Sequence, residues 1–367
     1  MQKRSDQRRK KQRSTYAKKL GAEPGSLVHV GEIKVEAPDI TLFDYGPAEL
    51  IEVTFASIDE SRAYKKANQL LWLNVHGVHD VKVMETIGAR FGLHPLVLED
   101  IVNTQQRPKL EDYGDYLFIV LRTFNYNAER HDATSDQISL VLGHDFVLSF
   151  QERPSGLFNP IRMRLRKNEC ILRKQGSDAL LHALIDAIVD RYFVIVEAIA
   201  DDVELLEDVL IEGTNQHAIK DINHFKRETV EVRRAIWPTR EVLNALQRQQ
   251  GTFLTAETHL FFRDVYDHTV HVIEQIEALR DQIGDLLDIH LSTISNRMNA
   301  EIRVLTVVTT MLAPAALVTG FFGMNFHFIP LLDKSDGWLI SLAIIGTAAL
   351  VLVAILYWQR WWVKRKG

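Results

Sequence analysis

Two long apolar runs near the carboxyl end dominate the hydrophobic pattern of this chain. In the first, residues 304–322, only threonine, glycine and one proline interrupt the apolar residues; the second, residues 338–358, contains no charged residue. As helices, each run would be about 30 Å long, which matches the hydrocarbon core of a bilayer. The pattern therefore predicts two transmembrane helices, at 303–322 and 338–358, joined by a short loop at 323–337.

Basic residues flank these runs on one side of the expected membrane. Arg297 and Arg303 precede the first run, and residues 359–367 contain four Lys/Arg and no acid. Since cytoplasmic flanks carry an excess of Lys and Arg, we expect both termini in the cytoplasm and the loop 323–337 outside. Residues 359–367 are then a basic cytosolic tail. The protein is expected to be a multi-pass protein of the cytoplasmic (inner) membrane.

Upstream, residues 21–165 show the alternation of short β-rich and helical segments that is typical of an α/β domain. The Gly143–Asp145 segment predicts a hairpin turn. The predicted strands are Leu27–Ile33, Ile51–Phe55, Leu71–Val75, Tyr116–Phe124, Ile138–Leu142 and Phe146–Gln151, and the predicted helices between them are Asp80–Phe91 and Pro95–Ile101.

Residues 166–250 are predicted to be helical and show a strong segregation of charge. The segment 186–212 has nine acids and one base, and the segment 220–248 has seven Lys/Arg against four acids. Two interpretations are open. The two helices form an antiparallel hairpin joined by ion pairs, or the acidic helix concentrates divalent cations near the protein.

A third helical region, 251–302, carries apolar residues at heptad spacing. Val265, Val272, Ile276, Leu279 and Ile283 follow one another at gaps of seven, four, three and four residues. No proline occurs between Pro238 and Pro314, so one helix can run from about 257 to 322. The stalk helix either ends before the membrane or continues as the first transmembrane helix, and we favour the continuous helix.

Composition limits the remaining function classes. The chain has 367 residues, a net charge of −5 and one cysteine, Cys170, so it has no intrachain disulfide framework. It shows no phosphate-binding glycine loop, nucleophile elbow or zinc-spaced Cys/His cluster, so we do not expect an enzyme. Residues 1–20 hold nine Lys/Arg and are expected to be a basic, disordered tail. Nucleic-acid binding is not expected, because aromatic residues are not interleaved with this charge.

The loop between the two apolar runs begins with Gly323-Met324-Asn325, at one face of the membrane. Two transmembrane helices cannot shield a hydrated ion from lipid on all sides, so ion passage would require an oligomer. One narrow face of the first helix is small or polar, and it either lines a pore or packs against another helix. Its positions are Asn299, Ile302, Thr306, Thr309, Ala313, Ala316 and Gly320.

Several short motifs, in order and in this topology, resemble the CorA family of magnesium channels over nearly the whole chain. They are HPLVLEDI at 94–101, QRPKLE at 106–111, IWPTRE at 236–241, FRDVYDH at 262–268, LTVVTTMLAP at 305–314 and GMN at 323–325. The resemblance implies an α/β cytosolic domain, a long helical stalk and two C-terminal transmembrane helices, assembled as a funnel-shaped homopentamer in the lipid bilayer.

The same resemblance implies roles for individual residues. Gly323, Met324 and Asn325 would form an external selectivity filter, and Ile302 with Leu305 a hydrophobic constriction. Ala313 stands where some relatives carry methionine. The implied pore-lining residues are Asn299, Ile302, Leu305, Thr309, Ala313, Ala316 and Gly320.

A regulatory metal site between neighbouring cytosolic domains is also implied. Its carboxylates would be Glu99, Asp100, Asp186 and Asp264, and Asp288 could form a further acidic ring. Carboxylates of two subunits repel each other, and bound Mg²⁺ would neutralise them and hold the closed arrangement.

The expected function is therefore influx of Mg²⁺ through a channel that intracellular Mg²⁺ closes, with Co²⁺ and Ni²⁺ as secondary substrates. At −100 mV a divalent ion gains about 4.6 kcal/mol on entry, so no ATP is needed. Two alternatives are a zinc transporter of the same architecture and, in a different class, a membrane-anchored sensor or scaffold.

Overall fold

The computed structural model describes residues 21, 23–127, 129, 131–167, 170–212, 217–249, 251–324 and 336–364. The predicted tail 1–20, Asn325 and the predicted loop as far as residue 335 lie outside the described residues, as do residues 365–367. The chain divides into two compact units. The first comprises the described residues up to Val209 and those from His217 to Leu286. The second comprises the described residues from Leu210 to Glu212 and those from Leu287 onward.

A seven-stranded sheet forms the centre of the first unit, in the order β2-β1-β3-β7-β6-β5-β4. Every neighbouring pair is antiparallel except β3–β7, which is parallel. The strands are β1 (Asp39–Tyr45), β2 (Leu50–Phe55), β3 (Leu70–His76), β4 (Lys109–Asp112), β5 (Leu117–Asn127), β6 (Asp132–Leu142) and β7 (Phe146–Gln151).

Buried polar side chains join the parallel pair. Ser149 of β7 accepts a hydrogen bond from Nε1 of Trp72 (2.9 Å) and donates one to Oδ1 of Asn74 (2.8 Å). Nε2 of Gln151 donates to the same oxygen at 2.9 Å. These side chains are all buried, so the β3–β7 pair carries a satisfied polar network inside an otherwise apolar sheet.

Three short helices lie beside this sheet: α1 (Ile58–Ala63), α2 (Val81–Phe91) and α3 (Pro95–Val102). Asp80 caps α2, because its Oδ1 accepts from the amides of Lys82 (2.9 Å) and Val83 (3.3 Å). The buried side chains of α2 and α3 form one core with alternate residues of the strands. This core fixes the position of α3, which carries Glu99 and Asp100.

The remaining helices are α4 (Asn159–Arg166), α5 (Ser177–Ile211), α6 (Ala218–Arg248), α7 (Ala256–Phe322) and α8 (Gly337–Lys364), with a 3₁₀ turn at Ile171–Lys174. The phenol of Tyr192 on α5 donates to the carbonyl of Arg122 in β5 and lies 3.4 Å from the Thr239 hydroxyl of α6. The predicted continuous helix is confirmed, and every residue of the heptad stripe is buried.

The predicted strand at Leu27–Ile33 is wrong. Within it, the described structure has a single bridge, from Val30 to Asn103. The Val30 amide donates to Val102 O, and the Thr104 amide donates to Val30 O. The next residue, Gly31, has φ 151°, where a Cβ would lie 2.1 Å from the Thr104 hydroxyl. The segment is therefore a short irregular stretch whose backbone is hydrogen-bonded to the residues at the end of α3.

Strand β1 was missed, because aspartate is rare inside strands and Asp39 and Asp44 bracket it. Asp44 is fully buried, yet its carboxylate accepts from the amides of Ala67 (2.6 Å) and Asn68 (3.0 Å) and from Tyr64 Oη (2.8 Å). Those bonds replace the lost hydration, so the polar residue is compatible with a central strand.

The ion pairs predicted between the acidic and basic helices differ from those found. One salt bridge, between the adjacent residues Arg240 and Glu241, lies within α6, and two others run from α5 and α6 to different elements. Asp202 of α5 pairs with His131 at the sheet (2.7 Å), and Arg233 of α6 pairs with Glu277 of α7 (3.4 Å). The charge segregation therefore connects the helices to the sheet and to α7.

The start of α7 is held by a buried carboxylate of α5. Oδ2 of Asp178 accepts from the amide of Thr255 (2.9 Å) and from the hydroxyl of Thr258 (2.7 Å). Burial raises the pKa of Asp178, but these bonds outweigh it, and the net pKa lies below its ordinary value.

We expect Asp178→Ala to destabilise the protein by about 2 kcal/mol, because the bonds to the ionised carboxylate are lost. In thermal unfolding of the full chain this corresponds to a Tm lower by about 4–8 °C. The exposed Asp281, which pairs with the adjacent Arg280, provides the control. Asp281→Ala should leave Tm nearly unchanged, and equal Tm values for the two variants would contradict the assigned role of Asp178.

Candidate functional site

The predicted pore-lining positions all belong to α7, within the second unit. In the single chain, each of the seven, from Asn299 to Gly320, is exposed. Ile302 and Leu305 are 52% and 63% exposed, which is unusual for large apolar side chains unless lipid or another subunit covers them. The exposed surface on α7 is therefore available for a pore or for packing between subunits.

The threonines of this helix bond to their own backbone. Oγ1 of Thr306 donates to Ile302 O (2.7 Å), and Oγ1 of Thr309 donates to Leu305 O (2.9 Å). Each hydroxyl oxygen keeps acceptor capacity, which can contact the water shell of a cation. Pro314 has no amide hydrogen, so the carbonyl of Thr310 lacks its usual helical donor. Polar oxygen atoms therefore remain along an apolar helix.

An apolar surface groove of about 670 Å³ borders the C-terminal end of this helix, also within the second unit. It is lined by Ala316, Leu317, Gly320, Phe321 and Met324 of α7 and its continuation and by Ile344 of α8. Ala316 and Gly320 are also predicted pore-lining residues. These two small residues therefore lie at a packing surface as well as on the predicted pore face, and both of the interpretations drawn from the sequence stay open for them.

The helix ends at the predicted filter. The amide of Gly323 donates to Thr319 O (3.0 Å), and the amide of Met324 donates to Phe321 O (3.3 Å). A Cβ on Gly323 would lie 3.2 Å from Thr319 O, so a larger residue would crowd this turn. Both Gly323 and Met324 are exposed, and Asn325 is outside the described residues.

The first two predicted regulatory carboxylates lie at the end of α3 and already have partners. The amide of Gly25 donates to Oε2 of Glu99 at 2.6 Å. Asp100 accepts from Lys109 Nζ (2.6 Å) and from the side-chain Nε2 of Gln106, and Lys109 also donates to Glu111 (2.6 Å). Burial lowers the pKa of Lys109, but its bonds to Asp100 and Glu111 outweigh burial and raise it overall. An ammonium therefore occupies a position beside Asp100.

The other two lie between α5 and α7. Burial raises the pKa of Asp186, and the nearby charge of Asp264 raises it further, while His268 lowers it. Burial and then Asp186 raise the pKa of Asp190. Oδ2 of Asp264, a largely exposed carboxylate, lies 3.9 Å from Nε2 of His268. This is an acidic pair in which added positive charge would be stabilising.

The structure does not bring these four carboxylates together. Among the described residues, no group of three or more His, Cys, Asp or Glu side chains could hold a metal ion. Asp288 is exposed. A site that uses Glu99 or Asp100 together with Asp186 or Asp264 would therefore need groups from a second copy of the chain.

Sequence reasoning missed three residues here: Lys109, Asp190 and His268. Lys109 stands inside the QRPKLE motif, but nothing in its spacing shows that it reaches Asp100. Asp190 follows Asp186 by four residues and His268 follows Asp264 by four, so helical spacing places each beside its carboxylate. The four-residue spacing could therefore have indicated Asp190 and His268 from the sequence, but not Lys109.

Comparison with known proteins gives one consistent answer. The family described as "CorA-like Mg2+ transporter protein" matches residues 67–365. A cobalt/magnesium transport protein CorA from Thermotoga maritima is 39% identical over 343 residues, which cover 94% of this chain and 97% of that protein.

Two solved structures share the fold. The CorA magnesium transporter of Methanocaldococcus jannaschii matches with a TM-score of 0.73 at 22% identity, covering 86% of this chain and 96% of that one. The cytoplasmic domain of ZntB from Vibrio parahaemolyticus matches with a TM-score of 0.55 at 12% identity, covering 70% and 98%. At these identities the two structures show similarity of fold alone. The predicted fold class, an α/β domain with a long helix and C-terminal apolar helices, is confirmed.

Proposed function

The chain belongs to the CorA family of Mg²⁺ transporters, and from this membership we propose that it is a Mg²⁺ channel closed by intracellular Mg²⁺. The family is one of divalent cation transporters, not of enzymes. The observation that carries the proposal is the exposed surface on α7. All seven predicted pore-lining positions are exposed in the single chain, and the same helix carries Asp264 of the predicted regulatory site.

The assembly is part of the proposal. The two candidate membrane helices, in α7 and α8, are long and apolar enough to span a bilayer. A pair of helices cannot enclose water, so several copies must surround the pore. We propose a homopentamer in the cytoplasmic membrane, with α7 inside, α8 outside and both termini in the cytoplasm. Rings of Ile302 and Leu305 would form a constriction that closes by losing water.

Mg²⁺ is the favoured substrate on chemical grounds. Mg²⁺ loses its water shell reluctantly, and the exposed α7 positions offer amide, hydroxyl and carbonyl oxygens to that shell. Zinc prefers imidazole and thiolate ligands, and none of the predicted pore-lining residues is His or Cys. The relative at 39% identity is a cobalt/magnesium transport protein, whereas ZntB shares only the fold. Co²⁺ and Ni²⁺ are proposed as secondary substrates.

Closure would come from the carboxylates of neighbouring cytosolic units. The charge of Asp264 raises the pKa of Asp186, so these two acids interact, and Glu99 and Asp100 lie on a different element. Mg²⁺ that bridges such groups across two subunits would replace repulsion with attraction. When internal Mg²⁺ falls, the subunits separate and the closed population decreases.

Lys109 gives a testable form of this mechanism. Its ammonium lies 2.6 Å from Asp100 and must be displaced or shared when a cation binds there. We expect Lys109→Gln to close the channel at an internal Mg²⁺ concentration about three- to tenfold lower, since a competing charge is removed.

The control for Lys109→Gln is Lys66→Gln, which removes another Lys–Asp bridge of the same unit, to Asp145. Its half-closing Mg²⁺ concentration should equal that of the wild type. A requirement for more Mg²⁺ in the Lys109 variant would mean that Lys109 supports the site and does not compete with the ion.

The whole proposal is tested by Mg²⁺ uptake into proteoliposomes with a clamped membrane potential. We expect uptake that scales with the potential, stops when Mg²⁺ is high on the cytosolic face and is blocked by cobalt hexaammine. Voltage-independent uptake of Zn²⁺ under a pH gradient would favour the zinc alternative. No uptake of any ion by an intact, correctly oriented oligomer would favour a sensor or scaffold.

A further inference from the structure

The tip of the β5–β6 hairpin, by which we mean Tyr126 and His131–Ala133, contacts two helices. The contacts involve titratable side chains that belong neither to the proposed ion pathway nor to the regulatory carboxylates. Nδ1 of His131 lies 2.7 Å from Oδ2 of Asp202 on α5, and the phenol of Tyr126 donates to the same carboxylate. His131 adopts a left-handed conformation, with φ 49°. Such a conformation is uncommon for residues other than glycine and is held here by contacts of the tip.

The second helix, α6, holds the same tip through Glu228. Oε2 of Glu228 accepts from the amide of Ala133 at 2.9 Å. One turn earlier, Nε2 of His224 lies within hydrogen-bonding distance of the carbonyl of His131, which can only accept, so this nitrogen carries the hydrogen. The hairpin tip is therefore attached to α5 by an acid and to α6 by an acid and an imidazole.

Glu228 is unusual because it is a titratable acid in a buried hydrogen bond with the Ala133 amide. It is only 8% exposed, and among the described residues no Lys or Arg side chain forms a salt bridge with it. Charged and titratable groups face it from each neighbouring element: Asp132 from the hairpin, and His224 and Glu231 from its own helix. Asp202 of α5 contacts the same tip through His131.

These surroundings make ionisation of Glu228 costly. Burial raises its pKa to about 7, the Ala133 amide opposes this, and the charge of Asp132 adds to it. Burial also raises the pKa of Asp202. If the hairpin tip moved away, Glu228 would be hydrated and its pKa would return towards the ordinary value of about 4.3.

We propose that Glu228 and the hairpin tip form a proton-operated latch between the sheet and α6, which is held by protonated Glu228 and released when Glu228 ionises. The protonated acid keeps one oxygen as acceptor for the Ala133 amide and removes the repulsion from Asp132. The ionised acid keeps that bond but leaves a buried negative charge beside other carboxylates, and no Lys or Arg side chain of the described residues forms a salt bridge with it.

The direction of the pH dependence follows from linkage. A group whose pKa is higher in the attached state stabilises that state below its free pKa and loses this contribution as pH rises through its attached pKa. Release is therefore favoured as pH rises from about 4.5 to about 7 and is constant above that range. Between pH 6 and pH 8 the opening equilibrium constant should increase about tenfold.

The latch lies on a helix that contacts α7. Arg233 of α6 bonds Glu277 of α7 (3.4 Å), and Nε2 of Gln247 donates to Phe262 O (3.3 Å). Release of the hairpin removes one restraint on α6. An effect of pH on closure by Mg²⁺ rests on the proposed function, whereas the latch itself does not.

The test is hydrogen exchange of the full chain in detergent at pH 6 and pH 8, corrected for the intrinsic exchange rate. The readout is the peptide that contains Ala133. Wild type should exchange about tenfold faster at pH 8. Glu228→Gln, which keeps an acceptor oxygen but cannot ionise, should show no such change. Glu241→Gln, which removes an exposed carboxylate more than three turns further along the same helix, should behave as wild type.

A second variant leaves Glu228 in place. Asp132→Asn removes the neighbouring carboxylate charge and should shift the exchange transition to lower pH. Equal exchange at the two pH values in wild type, or an unchanged tenfold difference in Glu228→Gln, would overturn the latch.

If the latch holds, the half-closing Mg²⁺ concentration is compared at the two pH values. An identical concentration would remove only its role in transport, whereas complete absence of uptake would count against the proposed function.

Discussion

Asn325→Ala is expected to reduce Mg²⁺ uptake at least tenfold, because it removes the polar group of the predicted filter. An alanine ring offers no oxygen to the water shell of the ion, and Mg²⁺ does not exchange that shell readily. The described residues lead directly to this position, since α7 ends at Phe322 and Met324 is exposed beyond it. A factor of ten corresponds to about 1.4 kcal/mol in the barrier for entry.

The matched control is Asn223→Ala on α6. Asn223 is an exposed asparagine whose amide donates to Ile219 O (2.7 Å) within its own helix. Its loss should leave uptake unchanged. Both variants should keep the oligomer size of the wild type by light scattering. Undiminished uptake by an intact Asn325→Ala oligomer would show that residue 325 is not part of the filter.

Leu305→Asn is expected to produce a channel that leaks at Mg²⁺ concentrations that close the wild type. The Leu305 side chain is 63% exposed in the single chain, and in the proposed assembly it contributes to an apolar ring. Such a ring blocks ions because water leaves it, whereas a ring of amides stays hydrated. We expect residual uptake at Mg²⁺ concentrations that close the wild type to rise at least tenfold, because the substitution leaves the proposed regulatory carboxylates of the first unit unchanged.

The control is Val304→Asn, on the preceding residue. Val304 is 65% exposed and points about 100° away around the helix, so it is not on the predicted pore face. That variant should close normally if it inserts and assembles. Normal closure of Leu305→Asn, or an equal leak from both variants, would remove Leu305 from the constriction.

Much of the fold could be predicted because its signals are local. The period of the apolar positions predicts α7, and helical spacing places Val265 to Leu286 on one buried stripe. Strand β7 was predicted with the bounds it has, since a hairpin turn and a run of β-branched and aromatic residues define it. Strands β5 and β6 extend further than predicted, to Asn127 and Asp132, because polar residues there pair along a hairpin end that is only partly buried.

What could not be predicted depends on contacts between distant residues. The bond of Lys109 to Asp100 crosses from β4 to α3, and the burial of Asp44 depends on amides more than 20 residues away. No pattern near Glu228 shows that a hairpin amide nearly 100 residues earlier binds it. The four regulatory carboxylates came from family resemblance, and their joint role stays a prediction.

The parallel pair β3–β7 has a consequence for how the chain folds. The other neighbouring strands are joined through antiparallel pairs closer in sequence, so a three-stranded group with β1 between β2 and β3, and the meander β4–β7, can each form early. Joining them pairs Leu71 with Phe146, across about 75 residues, and closure of so long a loop costs entropy before it brings contacts. The network of Trp72, Asn74, Ser149 and Gln151 is satisfied at one register only, because a slip by one residue would place these polar groups among apolar ones. In the first unit, the pairing that closes the longest loop is thus also the one in which a misaligned register would be strongly destabilised.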